Sequence, residues 1–307
     1  MNILVTGGAG FIGSNIADSY IEQGHNVVIV DNLSTGKKEF LNPKAEFYEM
    51  DIRDEMLSDI FKKHQIDIVN HHAGQIDLRK SVESPKFDID INIVGSVNLI
   101  QHAYKNNIKK VIFASTGGAI YGEHDYFPAD ENHPTRPYAP YGINKLTVEK
   151  YLFYYNHVFG LNYTVFRYAN IYGPRQNPLG ESGVIAIFTD KILKNIEPLI
   201  NGDGEQTRDY VYVSDVVKAN IIALDSQKST TYNIGTSIET SVNDIFEQIN
   251  DFAGTGFKGK HGPEKKGEQR RSVLSYEKIR KELKWKPDIK IEDGIKLTID
   301  YFKRHKY

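Results

Sequence analysis

The first third of the chain alternates short β-branched runs with longer stretches whose apolar residues recur at spacings of three and four, the pattern of a parallel sheet with crossover helices. Ile3–Val5, Val27–Val30, Phe47–Met50, Ile66–Asn70 and Lys110–Ala114 read as strands, and Tyr163–Phe166 as one more. Phe11–Gln23, Glu55–His64, Phe87–Asn106 and Ile143–Phe159 read as helices. After about residue 170 the rhythm turns irregular. A loop with Pro174, Pro178, Gly180 and Gly183 leads into a helix near Val184–Asn195. Later helices are expected at Ser214–Asp225, Val242–Phe252, Tyr276–Leu283 and Glu292–Lys303, with Lys258–Glu268 a loop rich in glycine and lysine. The break in rhythm puts the domain boundary at 170/171, with part of 207–237 packing back on the first domain.

Composition narrows the classes. With 307 residues, 40% apolar and 25% charged, the chain has the length and balance for a buried core and fits neither a disordered polymer nor a fibre. A formal charge of −2 argues against nucleic acid or an anionic membrane as main partner. Residues 257–307 carry an excess of Lys and Arg, and residues 1–256 an excess of Asp and Glu. Such an asymmetry fits solvated helix faces or a surface turned to phosphate. Zero cysteines exclude disulfides, thiolate metal sites and a cysteine nucleophile. No basic leader and no long apolar run is present, so a cytoplasmic location and no membrane contact are expected.

The first strand runs into Gly7-Gly8-Ala9-Gly10-Phe11-Ile12-Gly13, and a helical pattern starts at once. Side chains at Gly7 or Gly10 would block a tight turn and the close approach of a pyrophosphate; Gly13 would let helix and strand pack closely. A pyrophosphate would sit at the helix N-terminus, on free N–H groups. The second strand ends at Asp31, where a carboxylate would accept both hydroxyls of an adenosine ribose. That carboxylate would repel a 2′-phosphate, so NAD is expected rather than NADP, although Lys37 and Lys38 follow closely. The fold expected is therefore α/β: a Rossmann-type doubly wound parallel sheet at 1–170, with a smaller C-terminal α/β domain at 171–307.

In a chain with 19 tyrosines a Tyr-x-x-x-Lys pair has little meaning alone. Tyr141 and Lys145 gain it from their place, at the start of a helix after Pro137 and Pro140 and beyond a strand ending Ala114-Ser115-Thr116. A spacing of four puts both on one helical face. Together with Thr6-Gly7-x-x-Gly10-x-x-Gly13, Asp31, Asp51-Ile52, Ala73-Gly74, Asn92 and Arg167-Tyr168-x-Asn170, these residues resemble the extended short-chain dehydrogenase/reductases. Within that superfamily the whole chain resembles the UDP-glucose 4-epimerases, and Gly202–Val211 and Lys266-Gly267-Glu268 look like their nucleotide-sugar segments.

The resemblance implies an isomerase that holds NAD tightly and interconverts UDP-hexoses through a transient 4-keto sugar. It implies catalysis by Thr116, Tyr141 and Lys145. NAD contacts are implied at Gly7, Gly10, Phe11, Ile12, Gly13, Asp31, Asn32, Asp51, Ile52, Ala73, Gly74, Asn92, Ser115, Tyr141, Lys145 and Tyr168. Sugar-nucleotide contacts are implied at Thr116, Asn170, Arg208, Lys265, Glu268 and Ser272. The C-terminal domain would then bind the UDP-sugar, and a homodimer would form through the helices near Phe87–Asn106 and Ile143–Phe159. Four residues separate Thr116 from Tyr121, one more than usual in the family, so Ser115 stays open as the catalytic hydroxyl. Lys265 stands where many relatives carry arginine. Ser272, four residues after Glu268, is small where a bulky residue would confine relatives to plain hexoses, so the 2-acetamido sugars are expected as substrates; the alternative is that Ser272 caps the helix at Tyr276.

Two other readings are weaker. A nucleotide-sugar 4,6-dehydratase needs an Asp-Glu pair after the catalytic threonine, and here Gly117-Gly118 follows. An inactive NAD-binding scaffold is at odds with the intact Thr116, Tyr141 and Lys145. No metal is expected: His71-His72 and His124 lack carboxylate companions at ligand spacing and read as structural.

Overall fold

The computed structural model describes residues 1–179, 183–265 and 269–305. It divides into two compact units: residues 1–120, 137–167 and 217–232 form one, and residues 121–136, 168–216 and 233–307 the other.

The first unit is built on a seven-stranded sheet. β1 (Asn2–Thr6) buries Ile3, Leu4 and Val5 completely, as a central parallel strand covered on both faces must. Helix α1 (Phe11–Glu22) returns the chain to β2 (Asn26–Asp31), and β3 (Glu46–Glu49) lies beyond it. After α2 (Leu57–His64) the chain crosses to the other side of β1 as β4 (Ile68–His71). Next come α3 (Leu78–Glu83), α4 (Pro85–Ile89), α5 (Ser96–Lys105), β5 (Lys110–Thr116), α6 (Gly117–Ile120), α7 (Pro140–Phe159) and β6 (Asn162–Tyr168). The sheet order is β3-β2-β1-β4-β5-β6, closed by the strand Thr230–Ile234 next to β6. β3, β2, β1, β4 and β5 run parallel. The chain reverses its winding between β1 and β4, so the loops leaving those strands diverge and open a crevice at their carboxyl ends. Leu4, Val28, Val69, Val111 and Phe113 of the sheet pack against Phe61, Leu99, Ile100 and Leu152 of α2, α5 and α7.

Two departures from the sequence pattern lie in this unit. The single helix expected at Phe87–Asn106 is α4 and α5 joined by a π turn at Asp90–Gly95. A single π turn widens the helix by about one residue without ending it, so the apolar spacing on either side still reads as one helix. Helix α7 starts three residues earlier than expected, at Pro140, because proline is preset for the first helical position and loses no hydrogen bond there.

In the second unit Ile185, Phe188 and Ile192 of the helix Val184–Leu193 pack with Ile245, Phe246 and Ile249 of Val242–Ala253 and with Ile295 and Ile299 of Ile291–Arg304. Strands of two or three residues knit this unit together. Asn170–Tyr172 pairs with Tyr210–Tyr212, and Thr207–Arg208 lies between Thr240–Ser241 and Arg271–Ser272. The expected loop Lys258–Glu268 contains a strand, Lys260–Gly262, parallel to Leu199–Asn201. Such strands are too short for an alternating pattern to register.

Candidate active site

The turn after β1 is shaped by its glycines. Gly7 has φ +70°, a left-handed conformation, and a Cβ there would sit 2.6 Å from the Ala73 amide nitrogen. A Cβ on Gly13 would run into the Gly7 carbonyl, so the first turn of α1 can lie on the loop only without one. Gly10 begins α1 without a side-chain cap, leaving backbone N–H groups at the helix start for a ligand. At the end of β2, Asp31 is 8% exposed and accepts hydrogen bonds from Ala9 N at 3.0 Å and Leu33 N at 2.8 Å. Burial pushes its carboxyl above the usual carboxylate range, and the two amides oppose that shift. An uncapped helix N-terminus, a turn that excludes Cβ atoms and a fixed carboxylate on the next strand form the donor and acceptor set that a dinucleotide requires. The residues fit NAD.

Further along the crevice, Asn32 Nδ2 donates to Asp51 at 2.8 Å, and Arg53 binds the same carboxylate at 2.8 Å and holds it down to about 2. Ile52 is buried beside Gly95 of the π turn. After β4, a Cβ at Gly74 would lie 2.8 Å from Asn92 Oδ1 and 3.4 Å from Lys145 Nζ. The structure thus brings Ala73, Gly74, Asn92 and Lys145 together, although Asn92 and Lys145 are far apart in sequence. His71, read as structural, is hydrogen-bonded to Thr6 Oγ1 at 2.7 Å and Ser96 Oγ at 2.8 Å. Among the described residues no cluster of His, Asp or Glu is arranged to hold a metal ion.

The last two residues of β5 face different surroundings. Ser115 is buried and donates to Glu149 Oε1 at 2.6 Å, and Arg167 closes on the same carboxylate at 3.0 and 2.7 Å. Thr116 is half-buried and accepts from Ala119 N at 3.3 Å. Tyr141 and Lys145 occupy the first two turns of α7. Lys145 Nζ donates to Ala114 O at 3.0 Å and lies 4.8 Å from the Phe113 ring centre and 5.9 Å from that of Tyr141. Burial draws the Lys145 ammonium down to about 8, with Asp88 opposing. Burial, seconded by Asp88, pushes the Tyr141 phenol up from its ordinary value. Glu149 and Asp88 went unnoticed in the sequence; Glu149 carries a faint signal, one turn past Lys145, and Asp88 none.

In the second unit, Arg208 is half-buried, with Nη1 donating to Thr207 O at 2.8 Å, and its strand partner is Ser272. Ser272 is 3% exposed and lies in a strand; it does not cap the following helix, which begins at Glu277 without a side-chain cap. Next to Arg208, the buried Asp209 accepts from Thr236 Oγ1 at 2.6 Å and Leu274 N at 3.2 Å. Asn170 N donates to Asp209 O at 2.9 Å, Tyr168 is buried at the end of β6, and Lys265 is exposed. Gly180, Lys266, Gly267 and Glu268 lie outside the described residues.

The profile of the NAD dependent epimerase/dehydratase family matches residues 3–235. A UDP-glucose 4-epimerase from Thermotoga maritima, solved with UDP-glucose, is 48% identical over 99% of both chains and superimposes with a TM-score of 0.97. The chain belongs to the UDP-glucose 4-epimerase family. Two further epimerase structures are similar. One, from Thermus thermophilus in complex with NAD, is 39% identical over 99% of both chains, TM-score 0.94. The other is a UDP-N-acetylglucosamine 4-epimerase from Methanobrevibacter ruminantium in complex with UDP-N-acetylmuramic acid, 35% identical over 99% of this chain and 98% of its own, TM-score 0.94. Epimerase family membership brings with it the extended short-chain dehydrogenase/reductase fold, NAD dependence and an isomerase activity.

Proposed function

We propose that this epimerase interconverts UDP-glucose and UDP-galactose, and the corresponding 2-acetamido sugars, through a 4-keto intermediate. The observation that carries the reading is the meeting of the Tyr141–Lys145 face of α7 with the half-buried hydroxyl end of β5, with Gly74 after β4 and with Asn92 of the π turn. The glycine turn and Asp31 would hold NAD, and the chemistry it would supply when bound is reversible hydride transfer at carbon 4 of the sugar. Tyr141 is the base for the 4-hydroxyl proton. A free phenol titrates near 10 and burial moves Tyr141 higher, so the phenolate needs nearby positive charge. Lys145, at about 8, is mostly an ammonium at neutral pH and supplies it. Thr116 orients the sugar hydroxyl. Arg208 is proposed to grip the diphosphate with its two-pronged guanidinium, Asn170, Lys265 and Glu268 to hold the nucleotide, and Ser272 to border the sugar's 2-substituent.

The dinucleotide is proposed to run from Gly7, Gly10, Phe11, Ile12 and Gly13 to the Asp31 and Asn32 ribose site, with Asp51 and Ile52 at adenine. Its nicotinamide end would rest among Ala73, Gly74, Asn92, Ser115, Lys145 and Tyr168. No described helix is long and apolar enough to cross a membrane, and a cytoplasmic homodimer is the state proposed. The test is to incubate the protein with UDP-glucose and separate the products. UDP-galactose should appear without steady accumulation of NADH, and Tyr141→Phe should lose nearly all turnover while still binding NAD. NADH formed at one per sugar would mean a dehydrogenase, and near-normal activity of Tyr141→Phe would remove Tyr141 from the reaction.

A further inference from the structure

Asp88 of α4 is fully buried, and among the described residues the hydrogen-bond partners of its carboxylate are neutral amides. Asn144 Nδ2 donates to Oδ2 at 2.6 Å; Gln75 Nε2 and Asn92 Nδ2 donate to Oδ1 at 2.7 and 3.0 Å. A buried carboxylate is costly unless compensated, and the usual compensation is a hydrogen-bonded cation. Among the described residues, none of the groups hydrogen-bonded to Asp88 is charged. Its three amides come from three segments: the stretch after β4, the π turn, and α7 between Tyr141 and Lys145. Asn92 is tied a second time to the stretch after β4, accepting from Gln75 N at 3.0 Å and donating to Gln75 O at 2.9 Å. A chain of amides thus converges on one carboxylate beside the catalytic helix.

We propose that Asp88 is a positioning residue for the Tyr141–Lys145 pair, fixing α7 to the segment 75–92 through Asn144 and placing a carboxylate near the lysine ammonium. The π turn fits this role, since it supplies Asn92 to the node within an otherwise helical segment. Lys145 is approached by Asp88 from α4, by His71 of β4 and His72 just after it, and by Tyr141 on its own helix. Glu149, one turn further along α7, is engaged by Arg167 of β6. Burial holds both histidines neutral, His71 well below its usual value and His72 at about 3, which leaves the Asp88 carboxylate acting on both members of the pair. That charge favours the protonated form of each, so its removal lowers both pKa values.

The inference rests on the reading of Tyr141 as base and Lys145 as its cation. It is tested with Asp88→Asn by two measurements. One is the pH dependence of kcat; the other, made without sugar, is the ultraviolet titration of the Tyr141 phenol, taken as the difference between each protein and its Tyr141→Phe counterpart. Both limbs of the pH profile and the phenol titration should move to lower pH, by roughly half a unit to one unit. kcat should fall while KM for the UDP-sugar stays put. A fall in kcat with limbs and titration unmoved overturns the proposal. If the wild type has no epimerase activity the proposed function fails, and the phenol titration still decides the role of Asp88. If Asp88→Asn does not fold, Asn144→Ala, which keeps the carboxylate and cuts its tie to α7, is expected to lose roughly tenfold or more in kcat with the limbs in place. Unchanged kcat in that variant overturns the proposal as well.

Discussion

Ser115 and Thr116 are adjacent hydroxyls, and their surroundings separate them. Ser115 gives its proton to Glu149, whose carboxylate is already clamped by Arg167, so its hydroxyl belongs to a buried ion-pair network. Among the described residues Thr116 accepts, from Ala119 N, and donates to none, which leaves its proton for a substrate oxygen. Ser115→Ala should therefore destabilise the fold by about 1–3 kcal/mol, the cost of a buried hydrogen bond to a charged group, with kcat within a few-fold of normal. Thr116→Val should lose on the order of a hundredfold in kcat with little change in stability. Urea melts and steady-state rates for the two variants check this, and a larger kcat loss in Ser115→Ala reverses the assignment. A second comparison concerns Ser272, buried beside Arg208. Ser272→Tyr carries an overpacking cost of about 1–3 kcal/mol that acts on all substrates alike, so the readout is a ratio. Activity on UDP-N-acetylglucosamine relative to UDP-glucose should fall at least roughly tenfold; an unchanged ratio removes Ser272 as gatekeeper. At this scale the legible residues were those whose chemistry needs a fixed spacing: the glycines of the first turn, Asp31 after the second strand, and Tyr141 with Lys145. Asp88 was not legible, because an aspartate in Phe87-Asp88-Ile89-Asp90 looks like any surface acid until its burial is seen.

Elements could be read where burial on both faces of the sheet demands unbroken β-branched runs, as in Leu4-Val5 and Val111-Ile112. The strand Thr230–Ile234 escaped because only Tyr232, Asn233 and Ile234 are fully buried and polar threonines open it. A lysine within a sheet strand is the other surprise. Lys110 is 3% exposed and donates to Ala223 O at 2.7 Å and to Ser226 O, closing the C-terminal end of the helix Val213–Asp225. A cation at that end satisfies otherwise unpaired carbonyls and opposes the helix dipole. Burial nonetheless lowers its pKa to about 8, against 10.5 for an unperturbed lysine. Between those values the unfolded chain binds the proton that the folded one releases, so stability from this site rises with pH across that window; below about pH 8 the full cost of burying the charge applies. Wild type should gain on Lys110→Met as pH rises from 8 towards 10, measured by denaturant unfolding. A constant difference across that range would show that Lys110 titrates normally in the fold.

On the scale of the whole molecule, α7 has apolar residues on both sides. Val148, Leu152 and Tyr155 face the core, while Phe153 (58% exposed), Tyr154 (47%) and Val158 (51%) do not. A helix that is apolar all round is expected to be covered all round. The neighbouring segment adds Ile89 (41%) and Val94 (50%), and Tyr104 of α5 packs against Phe159 of α7 with ring centres 4.5 Å apart, so both helices contribute to one apolar face. Contiguous apolar surface of this kind marks an association site, and in the proposed homodimer a second copy of the chain would present the same two helices in return. Sedimentation equilibrium should therefore give twice the 34.9 kDa of one chain. Phe153→Glu with Val158→Lys puts charges where the closed interface would desolvate them, and the double variant should sediment as a monomer with its sheet intact by circular dichroism. Because α7 also carries Tyr141 and Lys145, covering its outer face would steady the proposed catalytic pair. The monomer should then lose several-fold in kcat while keeping NAD, since Asp31 and the glycine turn lie on other elements. A wild type that sediments as one chain at micromolar concentration would leave that apolar face without its partner and sink the prediction.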